Sequence, residues 1–287
     1  MQRWEKRPTL EDFTRTYFDS IAESCDSIFD GPEDLYEAIA DVSWAQYRKE
    51  VIELNPEFEE TRVRRHLKGV QDLLGMELEG EIILFSTFAG MDGYARFDRG
   101  THRVFLGVDE NHGVGQYLDI LEPHELTHVA RESQPSVWEG FGLNPKMSHH
   151  EFTENQPVIE HLFGEGFSCA VSEILTPTDA IWHYAYQERE SLAQVMEHAP
   201  RVDHTIHHEI QLGDQGDYGR LYNPSRYGAR LPSFTHYVWA WQWAKKVIQD
   251  FGGGDPRKVL SVCSKEFIQH ALQFKLEEVD GLTPSLD

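Results

Sequence analysis

His124-Glu125-Leu126-Thr127-His128 is an H-E-x-x-H pentad, and its reading governs the rest of the chain. On an α-helix residues i and i+4 share a face, so His124 and His128 can aim two imidazoles at one ion. Glu125 projects beside them, where its carboxylate reaches a water activated by that ion. Two neutral imidazoles with an open coordination position suit Zn²⁺. The chain holds 15 histidines, which raises the chance of a fortuitous pattern. The surrounding sequence therefore has to supply a helix and a third ligand.

Leu121, Leu126 and Val129 give the pentad an apolar face, which predicts a helix over 118–134 that stops near Pro135. Pro123 is comfortable only in a first turn, so the helix is expected either to start near Leu121 or to kink at Pro123. Upstream, residues 81–88 and 103–108 are β-rich, with the turn Gly90-Met91-Asp92-Gly93 and a short strand at 94–97 between them. They predict a small antiparallel sheet over 80–109 packed beside the pentad helix. The sheet reads either as scaffold or as carrying a strand that edges a cleft and pairs with an extended substrate.

A catalytic zinc site needs a third protein ligand. A third His six residues past His128 is excluded, because that position is Gln134. The alternative is a Glu on a second helix, and Pro157 to Leu175 reads as one, closed by Thr176-Pro177. Glu165 sits in its middle, flanked by Gly164 and Gly166. Each glycine costs a helix roughly 1 kcal/mol relative to Ala. Scaffold does not ask for that, whereas close approach of two helices and a metal does. Glu165 is therefore the expected third ligand, with Glu160, His161 and Glu173 as rivals. Glu160 and Glu173 are read as a solvated face or as partners that orient a His ring.

The pentad, followed by a helix carrying Glu165-Gly166-Phe167-Ser168, resembles the gluzincin metallopeptidases, several families of which carry an E-G-[FL]-A run on the glutamate helix. Ser168 stands where Ala is usual. The 36 residues between the two stretches, positions 129–164, exceed the gap of the aminopeptidase branch. That gap, the β segment ahead of the pentad and an aromatic helix near the C-terminus are more similar to a family of predicted zinc-dependent proteases catalogued only as a domain of unknown function. The resemblance spans roughly residues 80–275. It implies a zincin-like core, one Zn²⁺ held by His124, His128 and Glu165, and peptide hydrolysis with Glu125 as general base.

The remaining chain frames that centre. Apolar spacing predicts helices over 9–28, from Pro32 to about Leu54, and from Pro56 to Leu74, with a Thr9–Asp12 cap at the first. A helical subdomain over 1–78 is expected ahead of a catalytic domain over 79–287. Residues 178–198 read as another helix. His204 and His208 have ligand spacing but lack an adjacent Glu and a clear apolar face, so they read as surface histidines. Residues 213–231 look like a long loop that shapes a cleft. Pro232 to Ala244 opens an aromatic helix with Ser233 as its N-cap, and two short helices follow to about Leu276. A zinc peptidase also needs a donor to the oxyanion. Tyr237 is the first candidate, with His236, Tyr227, Tyr222 and Tyr218 as alternatives.

Composition narrows the partners. A formal charge of −23, from 26 Lys+Arg against 49 Asp+Glu, repels phosphate backbones and anionic lipid, so neither nucleic acid nor membrane is expected. Hydrophobic residues at 40% in 287 residues allow a sizeable core. Cys25, Cys169 and Cys263 form no C-x-x-C pair and are odd in number, which fits a reducing compartment. With no apolar leader in residues 1–8 and no 18-residue apolar run, a soluble cytoplasmic protein is expected. The whole is read as a mostly helical α+β protein, a zinc metallopeptidase acting on a peptide or protein. The competing reading is a non-catalytic metal-binding sensor or interaction domain.

Overall fold

The computed structural model describes residues 7–19, 21–22, 31–38, 56–85, 92–98, 100–107, 117–144, 146–147, 149–228 and 231–279. Thr9 caps α1 (Leu10–Phe13) by accepting from the Asp12 N–H at 3.2 Å, and a π-helical turn continues it over Thr14–Phe18. Helix α2 spans Pro32–Ala38; the part expected to run on to Leu54 lies outside the described residues. Helix α3 (Pro56–Leu74) stops where Gly75 takes a φ of 69°, a left-handed backbone that favours glycine. Val63, Val70 and Leu74 on α3 are buried in the same core as Leu118, Leu121 and Val129.

Three strands follow, β1 (Glu81–Phe85), β2 (Gly93–Asp98) and β3 (Thr101–Gly107), in the order β1-β3-β2. The sheet is mixed, which corrects the expected antiparallel one. β2 and β3 form an antiparallel hairpin turned at Gly100, whereas β1 lies parallel to β3, with Glu81 opposite Arg103. The hairpin closes locally and uses one side of β3. β1 takes the other side, where the Arg103 Nε donates to Glu81 at 2.9 Å. Apolar alternation is the same for either strand direction, so the sequence pattern does not choose between them. Among the described strands this leaves β2 at an edge.

The helices then build a layered core. Helix α4 (Tyr117–Glu132) carries the pentad and packs on α3, on the sheet and on α7. The stretch 135–155, expected as loop, holds α5 (Pro135–Glu139) and α6 (His149–Asn155). Helix α7 (Val158–Leu175) carries Glu165 and lies between α4 and α10 (Thr235–Gly252). The helix expected over 178–198 is instead a 3₁₀ turn (Ile181–Ala185) and α8 (Arg189–Glu197). The His-rich stretch is α9 (Ala199–Gln211), which buries Val202, Ile206 and Ile210 along one face. The loop of 213–231 contains three 3₁₀ turns, Gly213–Gln215, Tyr218–Tyr222 and Pro224–Tyr227. Helices α11 (Arg257–Leu260) and α12 (Ile268–Gln273) close the described chain.

Aromatic residues on α10 pack in this core while pairing their polar edges. The indole N–H groups of Trp239, Trp241 and Trp243 donate to Asp203, Glu173 and His270 at 3.1, 2.7 and 3.1 Å. Ser233 does not cap α10: the N-cap is Phe234, in a left-handed conformation with φ 62°, and the Thr235 hydroxyl donates back to the Pro232 carbonyl. No helix among the described residues is long and apolar enough to cross a membrane.

Candidate metal centre

The two ligand helices are held in register by a defect in one of them. Helix α4 begins at Tyr117 and continues through Pro123 rather than starting near Leu121. Proline has no N–H, so the Asp119 carbonyl four residues earlier loses its helical donor. The Thr176 hydroxyl, at the C-cap of α7, donates to that carbonyl at 2.9 Å. One turn back on α7, the Ser172 hydroxyl donates to the Ile120 carbonyl, also at 2.9 Å. The proline thus opens a backbone acceptor on the pentad helix, and the glutamate helix fills it.

Glycine sets the approach on the other side. A Cβ at Gly166 would lie 2.0 Å from the Ala240 carbonyl oxygen, so α7 and α10 touch backbone to backbone there. A Cβ at Gly164 would face the His128 ring at 3.8 Å, an ordinary contact. Gly93 on β2 abuts the Glu125 side chain, with only 2.8 Å from its ideal Cβ to the Glu125 Cγ. Strand β2 is thereby seated against Glu125.

Between these elements His124, His128 and Glu165 converge and form a group that could hold a metal ion. His124 Nε2 is 3.1 Å from Glu165 Oε2 and 3.1 Å from His128 Nε2, and His128 Nε2 is 3.3 Å from Glu165 Oε2. N and O donors about 2.0–2.1 Å from a tetrahedral ion stand about 3.3 Å apart, so this triangle has the size of one tetrahedral face. The outer faces of the ligands are also occupied. His124 Nδ1 is 3.7 Å from the Cys169 sulfur, His128 Nδ1 is 3.7 Å from Glu132, and Glu165 Oε1 is 3.8 Å from His161 Nδ1.

The rivals for the third position are placed elsewhere. Glu160 is buried, not solvated, and forms a two-pronged pair with Arg131 at 2.7 and 2.8 Å. Arg131 also donates to the carbonyls of Leu260 and Val262, tying α4 to the C-terminal turns. Glu173 binds Trp241 and Lys245. His204 and His208 are exposed on α9, as expected.

Burial and charge set the protonation states. Burial pushes Glu125 up to about 8, the direction that suits a carboxylate able to hold and release a proton near neutrality. Burial alone lowers His128, but the charge and hydrogen bond of Glu165, with the charges of Glu125 and Glu132, together outweigh it and lift the imidazole to about 9. Glu165, which burial would raise, is held well below the carboxylate range by His128 and by hydrogen bonds from both ligand imidazoles. The two directions favour an imidazolium–carboxylate pairing of His128 with Glu165, a proton with which a metal ion would compete. Burial drives His161 down to about 4 and His236 well below its usual value.

The centre opens into a cavity of about 680 Å³. Tyr237 lines it, with its ring stacked on His124 at 6.3 Å between centroids and its hydroxyl 3.2 Å from that of Tyr222. Tyr218 and Tyr222 also line it. His236 lies behind the wall against His161, 3.5 Å between their Nε2 atoms, and Tyr227 is buried with its hydroxyl on the Leu221 carbonyl. Tyr186 was not among the expected donors. Its ring stands edge-on to His124 at 5.2 Å, its backbone is left-handed with φ 53°, and its hydroxyl is buried with no hydrogen-bond partner among the described residues. Nothing in the sequence signals that backbone state. No family model, curated protein or solved structure matches the chain.

Proposed function

We propose that this chain is a zinc-dependent peptide hydrolase. The observation that carries the reading is the 3.1–3.3 Å triangle of His124, His128 and Glu165, with Glu125 beside it on the same cavity wall. A Zn²⁺ held there supplies a Lewis acid for a carbonyl and for water. Glu125 takes the proton of the attacking water and passes it to the departing amine. The Tyr237 hydroxyl, pre-aligned by Tyr222, donates to the oxygen that gains negative charge. The edge that β2 presents among the described strands, against Glu125, offers backbone groups to an extended peptide. The reading extends to a zincin-like arrangement of sheet, pentad helix and glutamate helix.

The alternative of a metal site that only fixes the fold asks for a closed set of ligands, in most cases four and often Cys. Three ligands without Cys, an adjacent carboxylate and an open cavity speak for chemistry. Metal analysis of the purified protein together with digestion of a peptide library tests this. Wild type should carry one equivalent of zinc and cleave peptides. Glu125→Gln should keep the zinc and lose cleavage by several orders of magnitude. A chain that binds no stoichiometric metal overturns the reading.

A further inference from the structure

The walls of the cavity carry a charge pattern that the centre itself does not require. Among the described residues that line it there is no Lys or Arg, whereas five are carboxylates: Asp92, Glu125, Glu132, Glu165 and Glu188. A divalent ion would offset Glu165 and Glu125, and Glu132 faces His128 Nδ1 at 3.7 Å, which leaves Asp92 and Glu188 facing the remaining space. Arg96 is held behind the wall, its guanidinium 5.8 Å from the Tyr94 ring, and does not border the cavity. Asp92 accepts from the Tyr117 hydroxyl, and Glu188 is exposed at the start of α8.

Aromatic faces are interleaved with these acids. Tyr186 and Phe234 are the non-glycine residues with left-handed backbones among those described, and both line the cavity. Such backbones cost about 1 kcal/mol or more and persist where the surroundings impose them, often at ligand sites. Tyr186 meets Tyr117 edge-on at 5.9 Å, and Phe234 keeps 37% of its surface exposed. Aromatic rings and carboxylates together attract ammonium and guanidinium groups. Away from the His124, His128 and Glu165 group, no Lys or Arg among the described lining residues faces a side-chain carboxylate. The net charge of −23 adds long-range attraction for cations.

We propose that the cavity selects peptides with a basic side chain, Lys or Arg, beside the cleaved bond and discriminates against acidic ones there. This specificity rests on the peptide-hydrolase reading above. The test uses quenched fluorescent peptides that differ only at one residue on either side of the bond: Lys, Arg, norleucine or Glu. Wild-type zinc protein is assayed for kcat/KM, and zinc-loaded Glu125→Gln protein for binding by titration calorimetry. Basic peptides should exceed their Glu counterparts by about tenfold or more in both measurements. Glu188→Gln, an exposed change, and Asp92→Asn should each narrow that ratio several-fold, and added salt should narrow it too.

Cleavage with no preference for Lys or Arg over norleucine and Glu overturns the specificity and leaves the hydrolase reading standing. Charge-selective binding by Glu125→Gln protein, with no cleavage by wild type, keeps the selectivity and removes the hydrolase. Absence of cleavage by wild type together with absence of binding by every peptide overturns both.

Discussion

The two glycines that flank Glu165 should respond to the same substitution with opposite signs. Replacing either by Ala gains roughly 1 kcal/mol of helix propensity. At Gly164 the new methyl would sit 3.8 Å from the His128 ring, so nothing opposes that gain. At Gly166 it would lie 2.0 Å from the Ala240 carbonyl oxygen and 2.4 Å from its carbon. Relaxed C···O approaches are about 3.3 Å or longer, so α7 and α10 would have to part by more than about 1 Å. Overpacking of a core costs about 1–3 kcal/mol and at times more. Gly164→Ala should therefore be neutral to about 1 kcal/mol stabilising, and Gly166→Ala about 2 kcal/mol destabilising. The parting also moves Glu165, so zinc affinity should fall roughly tenfold or more in Gly166→Ala alone, the scale seen when the groups supporting a metal ligand are disturbed. Urea unfolding in the presence of a chelator reads the stability, and competition with a chromophoric chelator reads the affinity. Equal effects of the two substitutions would refute the backbone contact as the reason for glycine at 166.

Other expectations follow from the same geometry. Thr176→Val should cost about 1 kcal/mol by leaving the Asp119 carbonyl without its donor, and less in a Pro123→Ala background, where the restored N–H can take that carbonyl; identical costs in the two backgrounds would show that the hydroxyl does not answer the proline. His236 is buried with its folded-state pKa depressed, so below about 6.5 the unfolded chain binds a proton that the folded chain does not, and stability is lost as pH falls. The stability difference between wild type and His236→Gln should accordingly shrink from pH 7.5 to pH 5.5, and a constant difference in urea midpoints would contradict this. Tyr237→Phe should lower kcat about a hundredfold with little change in KM, whereas Tyr186→Phe removes an unpaired buried hydroxyl and should leave stability unchanged or raised. The reverse pattern in kinetics would transfer the oxyanion role to Tyr186.

Short-range chemistry made much of this site legible in the sequence. The i, i+4 spacing of His124 and His128 and the glycines around Glu165 describe a helix face and a close approach, and the structure places these residues together. Helix α3 matches its expected limits because Pro56 and Gly75 punctuate both ends. What escaped depends on contacts between distant segments or on backbone states that side chains do not announce. The direction of β1 is set by which edge of β3 remains available. The stripe Val202, Ile206, Ile210 of α9 was hidden among His204, His207 and His208, because a polar composition masks a four-residue period. Phe234 and Tyr186 hold left-handed backbones that their residue types disfavour, so nothing local points to them. Ser168, where the resembled family carries Ala, is buried with an unpartnered hydroxyl, and nothing in the structure explains that substitution.

Pro123 also has a consequence for ancestry. A proline directly ahead of the pentad strands the carbonyl four residues before it, so any chain that keeps this proline must also keep a donor within reach. Here the donor stands eleven residues beyond Glu165, as Thr176. Relatives bearing P-H-E-x-x-H should therefore carry a small hydroxyl residue at that offset, and relatives with another residue at 123 should be released from it. The proline and the hydroxyl would be inherited as a unit, a lineage mark separate from the metal-binding group and open to change without it.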